Sequence, residues 1–253
     1  MLTTIKYILI TALRDKLFIG LFIAMFIVFG LSVFLGSTAL VEEDGAIDAY
    51  IGGSSRLVLA IGLIVFVCFH VRTAFDNKEI ELLLSRPISR TSFVFSYWMG
   101  FAVIATIFVV CLSIAMFLFL NVSGYGLFYW SAGLLMESYL FIAFALFASL
   151  ILRSAVSSVM LCFGFYVMCR MMGFFLYIVD QPHLFKGYFG DIIEKLLIFV
   201  SAILPRLDLY ADSKWLIYNA VNDTSHHWFI WQTLIYVPFL LVMAVIDFKR
   251  KQF

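Results

Sequence analysis

Six long apolar runs, nearly free of charged residues, constrain this chain more than any other feature. A helix needs about 20 apolar residues to cross a bilayer, because each residue adds about 1.5 Å and the hydrocarbon core is about 30 Å thick. The runs are Leu17 to Gly36, Leu57 to Val71, Phe101 to Leu120, Ala132 to Leu152, Ala155 to Val179 and Trp228 to Ile246. The second is short unless it includes neighbouring residues. Since lipid offers no hydrogen-bond partners to a backbone, each run should be helical.

Composition agrees with this interpretation. Hydrophobic residues make up 64% of the chain and charged residues 13%, whereas a soluble domain carries about 25% charge. We therefore predict an all-α, polytopic membrane protein with six transmembrane helices, in a single domain of residues 1–253.

The basic residues predict which side each end faces. With the N-terminus inside, eleven of the seventeen Lys and Arg residues lie on the cytoplasmic side, as the positive-inside rule requires. They are Lys6, Arg14, Lys16, Arg72, Lys78, Arg86, Arg90, Arg153, Lys249, Arg250 and Lys251. Both termini are then cytoplasmic, and the acidic cluster from Glu42 to Asp48 lies outside.

Two segments outside the runs are also expected to be helical. Residues 1–16 predict an amphipathic helix in the inner membrane interface, because their apolar side chains recur at helical spacing. These side chains are Leu2, Ile5, Leu9, Ala12 and Leu13. In the extracytoplasmic segment 180–227, the apolar stretch Leu196 to Leu204 is too short to span. It predicts a short interfacial or re-entrant helix that ends before Pro205.

The motifs of several enzyme classes are missing. The four cysteines lie inside the predicted spans, where a thiol behaves as a small apolar group. The four histidines lack metal-binding spacing, and no phosphate-binding loop occurs. We expect no catalytic, metal or cofactor site in this chain, so any use of ATP requires a second protein.

Two charged residues nevertheless lie within predicted spans. Glu137 and Arg170 are ~9 and ~15 Å from the outer ends of the fourth and fifth spans, at 1.5 Å per residue. An unpaired charge at this depth costs roughly 2.5 to 3.5 kcal/mol. We hypothesise that the two form an ion pair that lines the interior of the bundle. Fixing the packing and lining a substrate path are both open as its role.

The polar connection 72–95 has the composition of a docking element. Arg72 to Ser85 can extend the second span as a helix, Pro87 interrupts it, and Ser89 or Thr91 can cap the next helix. The apolar side chains of Leu82 to Leu84 are framed by charged ones, which is typical of an interface core with a polar rim. The charged residues are Glu79, Glu81, Arg86 and Arg90. The alternative is an amphipathic loop that rests on lipid headgroups.

Three segments and the basic tail suggest a family. They are Leu13 to Phe18, Glu79 to Arg90 and Leu204 to Leu209, followed by Lys249 to Lys251. In these segments the chain resembles the six-span transmembrane permease subunits of ABC transporters of the type-2 exporter class. The run Leu-Leu-Ser-Arg-Pro-Ile-Ser-Arg is the most specific part of the resemblance. The chain lacks the large outer soluble domain that some family members carry.

The resemblance implies a function. The connection would be a coupling helix seated in a separate ATPase subunit, which binds ATP and Mg. The implied ATPase contacts are Glu79, Glu81, Leu82, Leu83, Ser85, Arg86 and Arg90. A second permease copy, forming a homodimer, would complete an exporter in the bacterial inner membrane, with a lipid-like, glycan or other hydrophobic cargo.

Other function classes fit less well. A non-transporting membrane scaffold that uses an ATPase partner for signalling or envelope remodelling would share the docking element, so it stays an alternative. A membrane-embedded enzyme needs several ionisable groups at one depth, and only Glu137 and Arg170 qualify. We expect membrane lipids as further partners and no nucleic acid.

Overall fold

The described part of the chain is entirely helical. The structure is a computed structural model that describes residues 2–38, 43–78, 89–120, 122–179, 188–218 and 228–250. No strand occurs in these ranges. The α-helices are α1 (Leu2–Leu13), α2 (Lys16–Gly36), α3 (Glu43–Asp76), α4 (Arg90–Phe119), α5 (Gly124–Ile151), α6 (Ala155–Val179), α7 (Tyr188–Ile203), α8 (Lys214–Tyr218) and α9 (Trp228–Arg250). A 3₁₀ turn at Leu207–Leu209 lies between α7 and α8.

Six of these helices, α2 to α6 and α9, are long and apolar enough to cross a membrane. The prediction of an all-α membrane protein with six spans is thereby confirmed by helix length and composition. The predicted bounds are closest for α2 and α6, which differ from the predicted apolar runs by at most one residue.

The second span is much longer than predicted. Helix α3 has 34 residues, or ~51 Å at 1.5 Å per residue, and begins at Glu43 instead of Leu57. It continues through Asp48 and Arg56, because both side chains are buried against other parts of the bundle. A charged residue therefore does not mark the end of this helix.

Helix α5 occupies the centre of the bundle. It packs against α3, α4, α6, α8 and α9, and Trp130, Phe141 and Leu146 on it are almost fully buried. Helices α2 and α6 lie at the periphery, where most of their apolar side chains are exposed. This arrangement leaves their outer faces to lipid or to another protein.

The predicted N-terminal helix is present as α1 and packs against α4. Its buried side chains are Ile8 and Ala12, whereas the predicted Leu13 is half exposed. Ile8 fits closely against Gly100, where an added Cβ would lie 2.9 Å from a methyl carbon of Ile8. The location of α1 in the membrane interface stays a prediction.

The bundle has two chemically different ends. One end contains the starts of α2, α4 and α6 and the ends of α3, α5 and α9, and we call it the basic end. Its described basic residues are Arg14, Lys16, Arg72, Lys78, Arg90, Arg153, Lys249 and Arg250. The opposite end, where α2, α4 and α6 finish, is called the loop end. Which side of the membrane each end faces stays a prediction.

Two polar side chains begin helices at the basic end. The Asp15 carboxylate accepts a hydrogen bond from the backbone N–H of Leu17 at 3.0 Å and starts α2. Ser89 Oγ accepts one from the N–H of Ser92 at 3.2 Å and starts α4. The prediction that Ser89 or Thr91 caps this helix is confirmed for Ser89.

Candidate functional site

The segment 204–218, which we call the plug, folds back among the spanning helices near the loop end. It contains the 3₁₀ turn and α8, which contact α3, α5 and α6. Its buried side chains are Leu207, Tyr210, Ala211, Trp215 and Leu216. It follows α7, which ends at Ile203 just before Leu204 and Pro205, as predicted. Residues 180–187 and 219–227 of the predicted outer segment lie outside the described residues.

Glycines in the spanning helices make room for the plug. An added Cβ on Gly133 of α5 would lie 2.6 Å from the backbone N of Ala211. One on Gly173 of α6 would lie 2.4 Å from Oδ2 of Asp208. Both distances are far below van der Waals contact, so an added Cβ would meet the plug backbone at Gly133 and the Asp208 side chain at Gly173. Ala211 itself has a φ of 40°, in the left-handed region.

The plug also bonds to the last span. Thr233 Oγ1 donates to the carbonyl of Phe229 at 2.8 Å, so the phenol of Tyr210 is the donor in its 3.0 Å hydrogen bond to Thr233 Oγ1. Burial raises the pKa of Tyr210, which keeps this phenol protonated. The rings of Tyr210 and Trp215 also pack on Phe229, with centroids 6.0 and 5.9 Å away.

Beneath the plug lies a buried ion pair between α3 and α5. Arg56 Nε is 2.6 Å from Glu137 Oε2, and the two side chains are 3% and 1% exposed. The two opposite charges are in direct contact, which makes this an ion pair. Among the described residues, neither Glu137 oxygen accepts a hydrogen bond. The opposite charge of Arg56 therefore holds the carboxylate in place.

Arg56 joins this ion pair to the plug. Its Nη2 donates to the carbonyl of Leu207 at 2.5 Å and its Nη1 to the carbonyl of Ala211 at 3.2 Å. Arg170 on α6 donates from Nη1 to the same Leu207 carbonyl at 2.9 Å. Two guanidinium groups thus converge on one backbone oxygen. Hydrogen bonds from charged donors are roughly twice as strong as neutral ones, so this oxygen is a firm anchor for the plug.

The predicted ion pair between Glu137 and Arg170 needs correction. Glu137 pairs directly with Arg56, while Arg170 binds the Leu207 carbonyl. The prediction missed Arg56 because it started the second span one residue later, at Leu57. Ile51, Ser55 and Leu59 are buried around it at helical spacing, but only the structure shows that this earlier part of the helix is covered.

A second ion pair lies at the edge of the plug. Arg206 Nη2 is 2.8 Å from Asp208 Oδ2, with side chains 35% and 24% exposed. The Asp208 side chain lies against Gly173, and its negative charge also acts on Arg170. Arg56, Arg170 and Arg206 thus face the acids Glu137 and Asp208 in one cluster. Among the described residues, no group of three or more His, Cys, Asp and Glu side chains is placed to hold a metal ion.

The predicted ATPase contacts at the basic end are described only in part. Glu79, Glu81, Leu82, Leu83, Ser85 and Arg86 lie outside the described residues. Arg90 is described, and its Nη1 donates to the carbonyls of Phe248 and Lys249 at 2.9 and 3.1 Å. Its guanidinium carbon lies 5.8 Å from the centroid of the Phe248 ring. Arg90 therefore joins the start of α4 to the end of α9.

The comparisons with known proteins leave the family open. No protein-family model matches the chain, and no similar sequence is found among curated proteins. Three features of the chain therefore bear on its function. They are the ion cluster, the plug and the polar connection.

Proposed function

We propose that the chain is the permease subunit of an ATP-driven transporter of the type-2 exporter kind. In this proposal a separate ATPase binds ATP and Mg at the basic end, and a second permease copy completes the transporter. The observation that carries the proposal is the continuity of α3. This single helix holds Arg56, the anchor of the plug, and its last residues, Arg72 to Asp76, belong to the polar connection 72–95.

Helix α3 provides a direct mechanical link between the two ends. Arg56 and Asp76 are ~30 Å apart along the axis, at 1.5 Å per residue. Packed helices shift as rigid bodies between discrete states. Movement of the connection by an ATPase would therefore displace Arg56 relative to α5 and α6.

That displacement has a specific consequence for the plug. The Leu207 carbonyl is held by Arg56 on α3 and by Arg170 on α6, so it cannot keep both bonds if the two helices separate. The arrangement described here is the closed state in this proposal, and loss of one bond would begin to open the loop end to cargo. The contact of Arg90 with the end of α9 gives the connection a second mechanical link.

The first test concerns the ATPase partner. The tagged chain is purified from its native membrane, and co-purifying proteins are labelled with a photoreactive ATP analogue. We expect a labelled ATPase with the unaltered chain and its loss with Leu83→Arg or Glu81→Arg. Thr38→Arg, which places the same charge on an exposed residue of the loop end, is the matched control and should retain the partner. Recovery of the same ATPase with Leu83→Arg would refute docking at the connection.

A second measurement separates transport from scaffolding. The purified complex is reconstituted in vesicles, and ATP hydrolysis is measured with candidate lipids, glycans and other hydrophobic cargo. Transport predicts that one cargo class stimulates hydrolysis and accumulates across the membrane. Hydrolysis that no cargo alters, with no accumulation, would support the scaffold alternative instead.

A further inference from the structure

An apolar cavity of about 240 Å³ lies between α2 and α4, away from the ion cluster. We call it the slot. All its lining side chains are apolar or, in one case, a thiol, and they are Phe22, Met25, Phe26, Phe29, Phe108, Cys111, Leu112, Ala115 and Phe119. None of these residues takes part in the proposed transport cycle, so an inference from the slot does not depend on that cycle.

Aromatic pairs bridge the two helices at both ends of the slot. Phe22 and Phe108 lie 5.6 Å apart between ring centroids on the side of the basic end. Phe29 and Phe119 lie 6.2 Å apart on the side of the loop end. Phe22 and Phe29 are seven residues apart, or ~10 Å along α2 at 1.5 Å per residue. The slot is therefore elongated parallel to the helices and bounded at each end.

The floor and the rim of the slot differ in exposure. Met25, Phe108 and Leu112 are buried and form the floor. Phe26 is 65% exposed and Cys111 is also exposed, so the slot opens sideways, away from the bundle. Because α2 and α4 are spanning helices, the opening faces the hydrocarbon of the bilayer.

The lining selects the chemistry of the occupant. Water in a cavity needs two to four polar partners, and even an apolar cavity of about 150 Å³ stays dry and takes up benzene instead. We propose that the slot is a binding site for one phospholipid acyl chain.

The shape favours an acyl chain over a side chain of a second copy. Acyl chains run roughly parallel to spanning helices, as the slot does, whereas a neighbouring helix presents its side chains across that direction. A second recess, between α4 and α5, offers a comparison. It measures about 390 Å³ and includes Val110, Ser113, Phe128, Ser131 and Ala132 in its lining. Among its lining residues, no ring pair bridges the two helices as in the slot.

The site is tested with a photoreactive lipid. The full chain is reconstituted in phosphatidylcholine vesicles in which a fraction of the lipid carries a diazirine on one acyl chain. After irradiation, adducts are located by mass spectrometry. We expect them to concentrate on the slot residues, above all on Phe26 and Cys111, beyond what their exposure predicts.

Two matched variants fill one recess each. Ala115→Phe fills the slot and should lower slot adducts about tenfold, because the added ring occupies the space of the chain. Ala132→Phe, the same substitution in the second recess, should leave slot adducts unchanged. Helix content by circular dichroism and elution volume show whether each variant folds. If Ala115→Phe does not fold, Cys111→Phe fills the slot from its rim.

Three results would overturn the proposal. Adducts that follow exposure alone over all apolar faces, including exposed Ile19 and Leu234, would mean ordinary lipid contact. Both filling variants could reduce slot adducts equally. Oxidation could join two copies through Cys111, the exposed cysteine, which would show that a second copy covers the slot. Loss of ATPase association would leave the lipid result unaffected, so the two proposals fail independently.

Discussion

At the scale of single residues, the role of Glu137 depends on which arginine pairs with its carboxylate. The carboxylate was predictable as a charge inside a span, but its contact with Arg56 depends on how α3 and α5 pack. Arg56 has three roles at once, because it neutralises Glu137 and holds two plug carbonyls. Removing either member of such a pair leaves the other charge buried without compensation.

Glu137→Gln should therefore be strongly destabilising. It leaves the Arg56 guanidinium in the core without its counter-ion, and breaking a buried pair in this way costs about 3–5 kcal/mol. The free energy of unfolding in mixed micelles, followed by circular dichroism during a detergent titration, measures the loss.

Companion variants identify the partner. Arg56→Met combined with Glu137→Leu removes both charges and should lose less stability than Glu137→Gln alone. Arg170→Met removes one charged hydrogen bond, to the Leu207 carbonyl, and should cost about 1.5–3 kcal/mol. If Arg56→Met were harmless and Arg170→Met as damaging as Glu137→Gln, the assignment of Arg56 as the partner would be wrong.

At the scale of elements, the plug depends on small residues in the helices that surround it. Gly133 and Gly173 allow the plug backbone and Asp208 to approach α5 and α6 within a distance that a Cβ would block. Not every glycine of the bundle is needed in this way, since Gly164 of α6 has no atom near its Cβ position. The sequence alone does not distinguish these two kinds of glycine.

Gly133→Ala should loosen the plug. The new methyl group meets the Ala211 backbone, which cannot rotate away as a side chain could, and overpacking of this kind costs about 1–3 kcal/mol. The temperature of unfolding in detergent and the proteolysis rate within 204–218 measure the effect. Gly164→Ala is the control and should be neutral or slightly stabilising, because alanine is the better helix former. Equal effects of the two variants would show that the close approach of the plug to Gly133 does not stabilise the plug.

At the scale of the whole molecule, the bundle has a protected centre and an open periphery. Helix α5 is surrounded by other elements, whereas α2 and α6 expose apolar faces along their length. The basic residues collect at one end, and this asymmetry predicts one orientation in the membrane.

Labelling with a membrane-impermeant maleimide tests this orientation. Lys78→Cys and Arg250→Cys, both exposed at the basic end, should react only from the cytoplasmic side. Thr38→Cys, exposed at the loop end, should react only from the other side. The measurement compares right-side-out and inverted vesicles. Reaction of Lys78→Cys from outside would exclude an ATPase docked beside it.

The accuracy of the predicted helix bounds has a physical explanation. Helices α2 and α6 are predicted to within a residue, because they lie at the periphery and their apolar runs coincide with the surface that faces away from the bundle. Helices α3, α4 and α5 begin well before their apolar runs, since their extra turns are buried by protein. The hydrophobicity of the sequence predicts which residues contact lipid. It therefore does not predict the ends of a helix that is covered by neighbouring helices.

The sequence by itself determined that this chain is a bundle of six spanning helices, because runs of apolar residues have no other stable form in a bilayer. It also determined that a charge at Glu137 requires a partner. Only the tertiary structure decided that Arg56 is this partner, that both arginines hold Leu207, and that a plug lies among the spans. Such contacts join residues between 37 and 155 positions apart, and local patterns do not record which helices come together.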